Sequence, residues 1–365
     1  MQQRVRLAVL LALATAPAFA DIAISGSAEM DFFYRTHNGS NFQDTNTNGK
    51  WLEEIDIFIN LDGTDKLDDG GTLSWRVGQK VATDYRYDSW GANEAWIGYS
   101  SALGTLRFGN QYSTMYNTII DAYYDSNGVG NLLGDFGAQE QQYPRAVSYF
   151  SPTFSGFKFN AQYDLGDSAV SAHAYELSAT YANDDFTIDG GYAETRNSDS
   201  TDSISQTYGS ADFGRGGGYT RKNKAKVGFV GAHYKFGDFE LAGIFKRNEW
   251  LGDVPDVHAA GANKTRVDHW VIKGAYTMGK HNFNLAYQNV ADSETDGVTR
   301  NDGIQAINFQ YNYTLSKATV GFVQIRHHML DTAGQPSVMS DSSQLDGAGK
   351  TDNATRFLIG TWTGF

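Results

Sequence analysis

Ile22 to Tyr34 sets a pattern that the chain repeats almost to its end. Even positions read Ile22, Ile24, Gly26, Ala28, Met30, Phe32 and Tyr34, while odd positions include Ser25, Ser27, Glu29 and Asp31. A period of two belongs to a β-strand, whose successive side chains leave opposite faces of the sheet. Thirteen residues is long for a soluble strand; it suits a tilted membrane strand of about 9–11 residues plus its ends. Trp51 to Leu61 repeats the pattern, setting Trp51, Ile55, Ile57, Ile59 and Leu61 against Glu54, Asp56 and Asn60. A protein core would reject that second face.

The same reading predicts strands near 72–80, 93–99, 104–110, 145–150, 157–163, 174–182, 186–192, 226–236, 239–246, 269–277, 282–288, 305–314, 318–325 and 355–365, sixteen in all. Their connections sort by parity. Short ones (62–71, 100–103, 151–156, 183–185, 237–238, 278–281, 315–317) alternate with long ones (35–50, 81–92, 111–144, 164–173, 193–225, 247–268, 289–304, 326–354). In an up-and-down barrel every second connection lies at the same rim, so short turns at one end and long loops at the other imply a membrane barrel. A soluble sandwich has no reason to sort its loops this way.

In lipid, a closed sheet satisfies the backbone and the apolar face turns outward. The polar face then lines the interior, and sixteen strands leave an aqueous channel where about eight would be filled by side chains. The fold expected for residues 21–365 is therefore all-β, a 16-stranded antiparallel transmembrane β-barrel. Tyr34, Trp51, Tyr99, Tyr163, Tyr181, Tyr276 and Tyr313 fall near strand ends on the outer face, as interfacial girdles require.

Residues 1–20 read as a signal peptide: Arg4 and Arg6, an apolar run from Leu7 to Ala16, and Ala18-Phe-Ala20 as a cleavage site. Without Arg4 and Arg6 the chain keeps 27 basic residues against 42 acidic ones, a net −15. That excess excludes nucleic acid as an expected partner, because phosphate binding needs a basic face. Cysteine is absent, so neither disulfides nor thiol chemistry are available. The 40 glycines against 5 prolines, with 14% aromatics, favour strands joined by polar loops.

No motif asks for a cofactor or a metal. Asp44-Thr-Asn-Thr-Asn-Gly49 imitates the start of a calcium loop, but its twelfth position is Ile55 rather than Glu, which favours a plain turn. His327 and His328 are adjacent and so leave opposite faces of a strand. A hydrolase needs a nucleophile, a base and an orienting group, and the spacing of His173, His233, His269 and the serines singles out no such set.

The segments Glu94-Ala-Trp-Ile-Gly-Tyr99, Gly104-Thr-Leu-Arg-Phe-Gly-Asn-Gln-Tyr112 and Ser148-Tyr-Phe-Ser-Pro152, with Phe154, Gly156 and Phe157, resemble the general diffusion porins of Gram-negative bacteria. The resemblance implies a homotrimer in the cell outer membrane, in contact with its lipid and lipopolysaccharide. Each barrel would fold its third long loop, residues 111–143, inward as a constriction. Gly360 and the terminal Phe365 are similar to the signal that the barrel-assembly machinery reads in that family.

Residues 111–143 contain Asp121, Asp125, Asp135 and Glu140 and no Lys or Arg. These acids are expected to oppose Arg76, Arg107, Arg145 and Lys158 on the wall. The resulting transverse field would orient dipolar solutes and hold back apolar ones. Asn110 and Ser148 stand where family members often carry Arg, which points to a weak cation preference. The expected function is a water-filled channel for passive diffusion of small hydrophilic solutes and ions. The alternative is a substrate-specific channel for sugars or organic acids, with Tyr112, Tyr116, Tyr123 and Tyr124 as a track.

Overall fold

A computed structural model describes residues 21–36, 49–82, 90–91, 93–123, 137–167, 172–197, 223–252, 254, 261–332 and 351–365. The expected signal peptide, Asp125, Asp135 and most of the calcium-like stretch lie outside the described residues. The strands are β1 (Asp21–Arg35), β2 (Lys50–Lys66), β3 (Thr72–Ala82), β4 (Glu94–Ser101), β5 (Gly104–Tyr112), β6 (Gln142–Phe150), β7 (Phe157–Asp167), β8 (Ala172–Ala182) and β9 (Phe186–Arg196). They continue as β10 (Asn223–Phe236), β11 (Phe239–Gly252), β12 (Lys264–Met278), β13 (His281–Val290), β14 (Glu294–Thr295), β15 (Val298–Thr299), β16 (Ile304–Thr314), β17 (Thr319–Leu330) and β18 (Asn353–Gly364). A helix, α1 (Thr114–Tyr123), follows β5.

β14 and β15 form a short hairpin on the way from β13 to β16. The other sixteen strands make the wall, each antiparallel to both neighbours. Closure occurs at β1, which pairs with β2 from Asp21↔Thr64 to Arg35↔Lys50 and with β18 from Ser27↔Gly364 to Arg35↔Arg356. Phe365 completes the seam: Gly26 N donates to its carbonyl at 2.9 Å and its own N donates to the Gly26 carbonyl at 3.0 Å. A ring of strands has no unpaired edge, which is the condition for a sheet to lie in hydrocarbon.

The alternation resolves into two faces of opposite character. Ile22, Ile24, Phe32 and Trp51 stand exposed on the outside, while Asp31 and Phe33 on the same β1 are buried inside. Aromatic rings collect at the short-turn rim, where Phe236 stacks on Phe239 with centroids 5.5 Å apart and Tyr276 lies tilted against Phe239 at 4.6 Å, across β10 to β12. His327 and His328 leave opposite faces as strand geometry requires: His327 bonds Thr355 outside, and His328 is buried within.

The interior differs from the uniformly polar wall expected. Val227, Phe229, Ile244, Val267, Val271 and Val290 face inward on β10 to β13 and form one apolar cluster with α1. α1, which packs on β8, β9 and β11, covers part of this cluster, and Ala138, Trp250 and Val254 are buried in it too.

Candidate functional site

The site is the lumen, and α1 shapes it. Ser113 caps the helix: its Oγ accepts from Tyr116 N at 3.0 Å, satisfying a donor that the first turn leaves open. Met115, Ile119 and Tyr123 then recur every fourth residue on one buried face. That face needs room on the wall, and two glycines supply it. A Cβ on Gly191 of β9 would sit 2.8 Å from Met115 Cγ, and one on Gly231 of β10 would sit 2.5 Å from Tyr123 Cζ.

Polar contacts fix the same seat. Glu176 on β8 accepts from Ser113 Oγ (2.5 Å), Thr114 Oγ1 (2.5 Å), Met115 N (2.7 Å) and Tyr143 Oη (3.1 Å), holding both ends of the 111–143 segment. Tyr123 Oη donates to Asp189 of β9 at 2.9 Å, and Lys273 Nζ of β12 donates to the Ala122 carbonyl at 3.1 Å. On the returning limb, Ala138 N donates to Asn248 of β11 at 2.9 Å and Glu140 accepts from Thr195 of β9 at 3.2 Å. All these partners occupy inward positions, so the described ends of the segment lie against the inner surface of β8 to β12.

Across the lumen, cations stand among inward acids such as Asp31 and Asp56. Arg326 of β17 stands opposite Arg356 of β18, which stands opposite Arg35 of β1, so three guanidinium groups face inward on adjacent strands. Like charges in cross-strand positions repel. Here Arg356 Nη2 donates to Gln324 Oε1 at 2.6 Å, and the Phe33 ring lies 5.0 Å from the Arg35 guanidinium and 5.6 Å from that of Arg356. Lys80 of β3 extends the row, paired to Asp56 at 2.7 Å and placed 4.6 Å from the Phe58 ring. β9 stands eight strands from β1 in either direction around the ring, so α1 and this row confront one another.

Arg76 faces inward, bonded to Asp62 at 2.7 Å and Glu94 at 3.0 Å. Arg107 also faces inward, its guanidinium 3.9 Å from the Trp96 ring centroid and 4.7 Å from that of Phe150. Lys158 is exposed to the lumen, opposite Thr180 near the short-turn rim. Arg145 lies elsewhere. It is exposed on the outer face with Val147 and Tyr149, as strand alternation requires, while a register shift between Gly109 and Gln111 turns Tyr143 inward. Asp121 belongs to α1, with its side chain outside the described residues.

Arg35, Arg326 and Arg356 were not singled out by the sequence. Arg35 and Arg326 fell in spans read as loops, because apolar alternation fades near the long-loop rim while the ladder continues. Parity alone would have placed Arg356 inside.

A closed sheet with apolar side chains outside, charge within and a segment tucked against the inner wall defines an outer-membrane barrel. The chain belongs to the Gram-negative porin family, whose model matches residues 7–333. The major outer membrane protein P.IB of Neisseria gonorrhoeae is 27% identical over 187 residues, covering 49% of this chain and 53% of that protein. The chain thus spans about half the length of this relative. The P.IB protein of Neisseria sicca is 26% identical over 334 residues, covering 87% and 89%. Among solved structures, an anion-selective porin from Comamonas acidovorans superposes with a TM-score of 0.73 at 14% identity, covering 95% of this chain and all of that one. The trimer form of the Vibrio cholerae outer-membrane protein OmpT gives 0.65 at 15% identity, covering 95% and 100%.

Proposed function

We propose that the protein is a water-filled channel through which small hydrophilic solutes and ions diffuse passively across the outer membrane, and that it is not an enzyme. The observation that carries this reading is the position of α1 inside a sixteen-strand ring, facing a row of cations across the lumen. Sixteen strands enclose more space than side chains fill, and the 111–143 segment narrows that space. Asp121, Asp125, Asp135 and Glu140 supply its negative side, with Arg76, Arg107 and Lys158 beside the newly placed Arg35, Arg326 and Arg356 as the positive side.

The channel is weakly cation-preferring in this account, because inward cations such as Arg76 and Lys80 are tied to carboxylates while residues 111–143 add four acids and no Lys or Arg. Reversal potentials in a salt gradient test this; a clear anion preference would refute it. The Arg326–Arg356–Arg35 row supports a second reading, a channel specific for organic acids. Concentration-dependent block of ion current by carboxylates, but not by sugars, would select it.

Membership of a family with a trimeric structural neighbour supports a homotrimer. Phe365, paired to Gly26 at the seam, and Gly360, opposite Asp31, are the residues we assign to recognition by the barrel-assembly machinery. Removal of Phe365 should slow assembly in cells without altering the conductance of refolded protein.

A further inference from the structure

Arg107 of β5 is held unlike the other inward cations. Arg76 and Lys80 are tied to carboxylates, and Arg356 donates to Gln324. Arg107 makes no hydrogen bond or ion pair among the described residues, and its Nε is shut off from solvent without an acceptor. Its two Nη groups stay open to the lumen, so the fork of the guanidinium is unfilled. The residue lies near the start of β5, beside a short turn, whereas α1 follows the other end of that strand.

Two aromatic rings fix the fork in place. Trp96 on β4 and Phe150 on β6 come from the strands on either side of β5, with centroids 3.9 and 4.7 Å from the guanidinium carbon. Both rings are themselves partly exposed. Trp96 is anchored, its Nε1 donating to Glu94 Oε1 at 3.1 Å. Glu94 also accepts from Arg76 Nη1 at 3.0 Å, so the carboxylate of the adjoining strand is already engaged. Directly across the ladder from Arg107 stand Gly98 and Ser148, which are too small to fill the space beside its side chain.

Stacking holds the faces of a guanidinium and leaves its edge for a ligand. A carboxylate takes that edge through two parallel N–H···O bonds and lies in the guanidinium plane. In a conjugated acid the ring keeps to the plane of its carboxylate. It therefore continues between Trp96 and Phe150 where the guanidinium ends, in position to stack on both. A puckered ring is too thick for the same slot.

We propose that Arg107, Trp96 and Phe150 form a binding site for planar aromatic carboxylates on the short-turn side of α1. Lys158, exposed toward the same rim, draws anions to it. The proposal deepens the organic-acid reading given above and rests on it. It places the selective contact on β4 to β6, apart from the Arg326–Arg356–Arg35 row.

The test records single-channel current of the full-length mature oligomer in a planar bilayer, with benzoate, cyclohexanecarboxylate or benzyl alcohol added on each side in turn. Saturation-transfer NMR of benzoate on the same preparations reports binding without current. Benzoate should block wild type at about three- to tenfold lower concentration than cyclohexanecarboxylate, and benzyl alcohol should not block it. Arg107→Gln should raise the blocking concentration of benzoate about tenfold or more. Trp96→Leu should remove the preference between the two acids, and Arg326→Gln/Arg356→Gln should keep it. Equal block by the two acids, block by benzyl alcohol, or Arg107→Gln blocked like wild type would each overturn the proposal. Equal block that disappears only in Arg326→Gln/Arg356→Gln refutes this site and sustains the organic-acid reading. Current that no carboxylate blocks refutes both. Benzoate transfer that is lost in Arg107→Gln, in a protein that passes no current, supports this site and refutes the channel.

Discussion

Glu176→Ala tests how the 111–143 segment is held. Its carboxylate accepts four hydrogen bonds, from Ser113, Thr114, Met115 and Tyr143, and so ties the outgoing and returning limbs to one point on β8. Hydrogen bonds to a charged group contribute about 1.5–3 kcal/mol each. They do not add fully, and lumen water recovers part of the loss, so the tether is worth about 3–6 kcal/mol in total. At about 1.4 kcal/mol per tenfold change, the released segment should gain roughly 10² to 10⁴ in relative population. The barrel itself should survive, since its ladder does not pass through Glu176's side chain. The chain has no native cysteine, so a single Ala122→Cys reports on α1 without background. In the Glu176→Ala background its modification by a charged thiol reagent should accelerate at least a hundredfold, and single-channel current should become noisier. Labelling and current unchanged from the Ala122→Cys parent would refute the tether.

Gly231→Val places atoms where the Tyr123 ring lies, and should cost about 1–3 kcal/mol at the α1 seat. Changed conductance with unchanged heat-modifiability is expected. Arg326→Glu/Arg356→Glu should shift the reversal potential toward stronger cation preference, and the shift should shrink near 1 M salt, where screening lengths fall to about 3 Å. Beyond the β17 end, Asp331 is held above the ordinary carboxylate value by burial and then by Asp292 and Asp302. A raised value means the folded form favours the protonated acid, so strain appears as pH rises past the unfolded value. Asp331→Asn should therefore slow exchange of the Asp331 amide, bonded to Gly303, at pH 7, and leave it unchanged at pH 3.

The belt of the barrel was legible because hydrocarbon enforces alternation: Ile22 to Tyr34 and Trp51 to Leu61 stand as read, within one residue at the start and up to five at the end. Above the belt that pressure ends. Arg247 to Gly252 and Lys264 to Asp268 looked like loop because charge replaces apolar residues on the outward face, yet they continue β11 and β12. Backbone hydrogen bonds, not hydrophobicity, carry the strands there. The same effect hid Arg35 and Arg326, and it hid the outward cations of β10 to β12. The helix was not read from the sequence, where 111–144 stood as a loop; Ser113 and the Met115, Ile119, Tyr123 spacing are the local signals that mark it. Its seat depends on Gly191 and Gly231, far away in sequence, which no local reading connects to it. Arg145 shares its parity with Val147 and Tyr149, so the period of two already put it outside; what periodicity does not see is the register shift that turns Tyr143 inward.

Single-channel recording of purified oligomer in a planar bilayer addresses the central claim directly. Discrete current steps that grow in proportion to salt concentration are the expected result, because water and ions fill the lumen together. A correctly folded, heat-modifiable barrel that inserts and passes no current would contradict it.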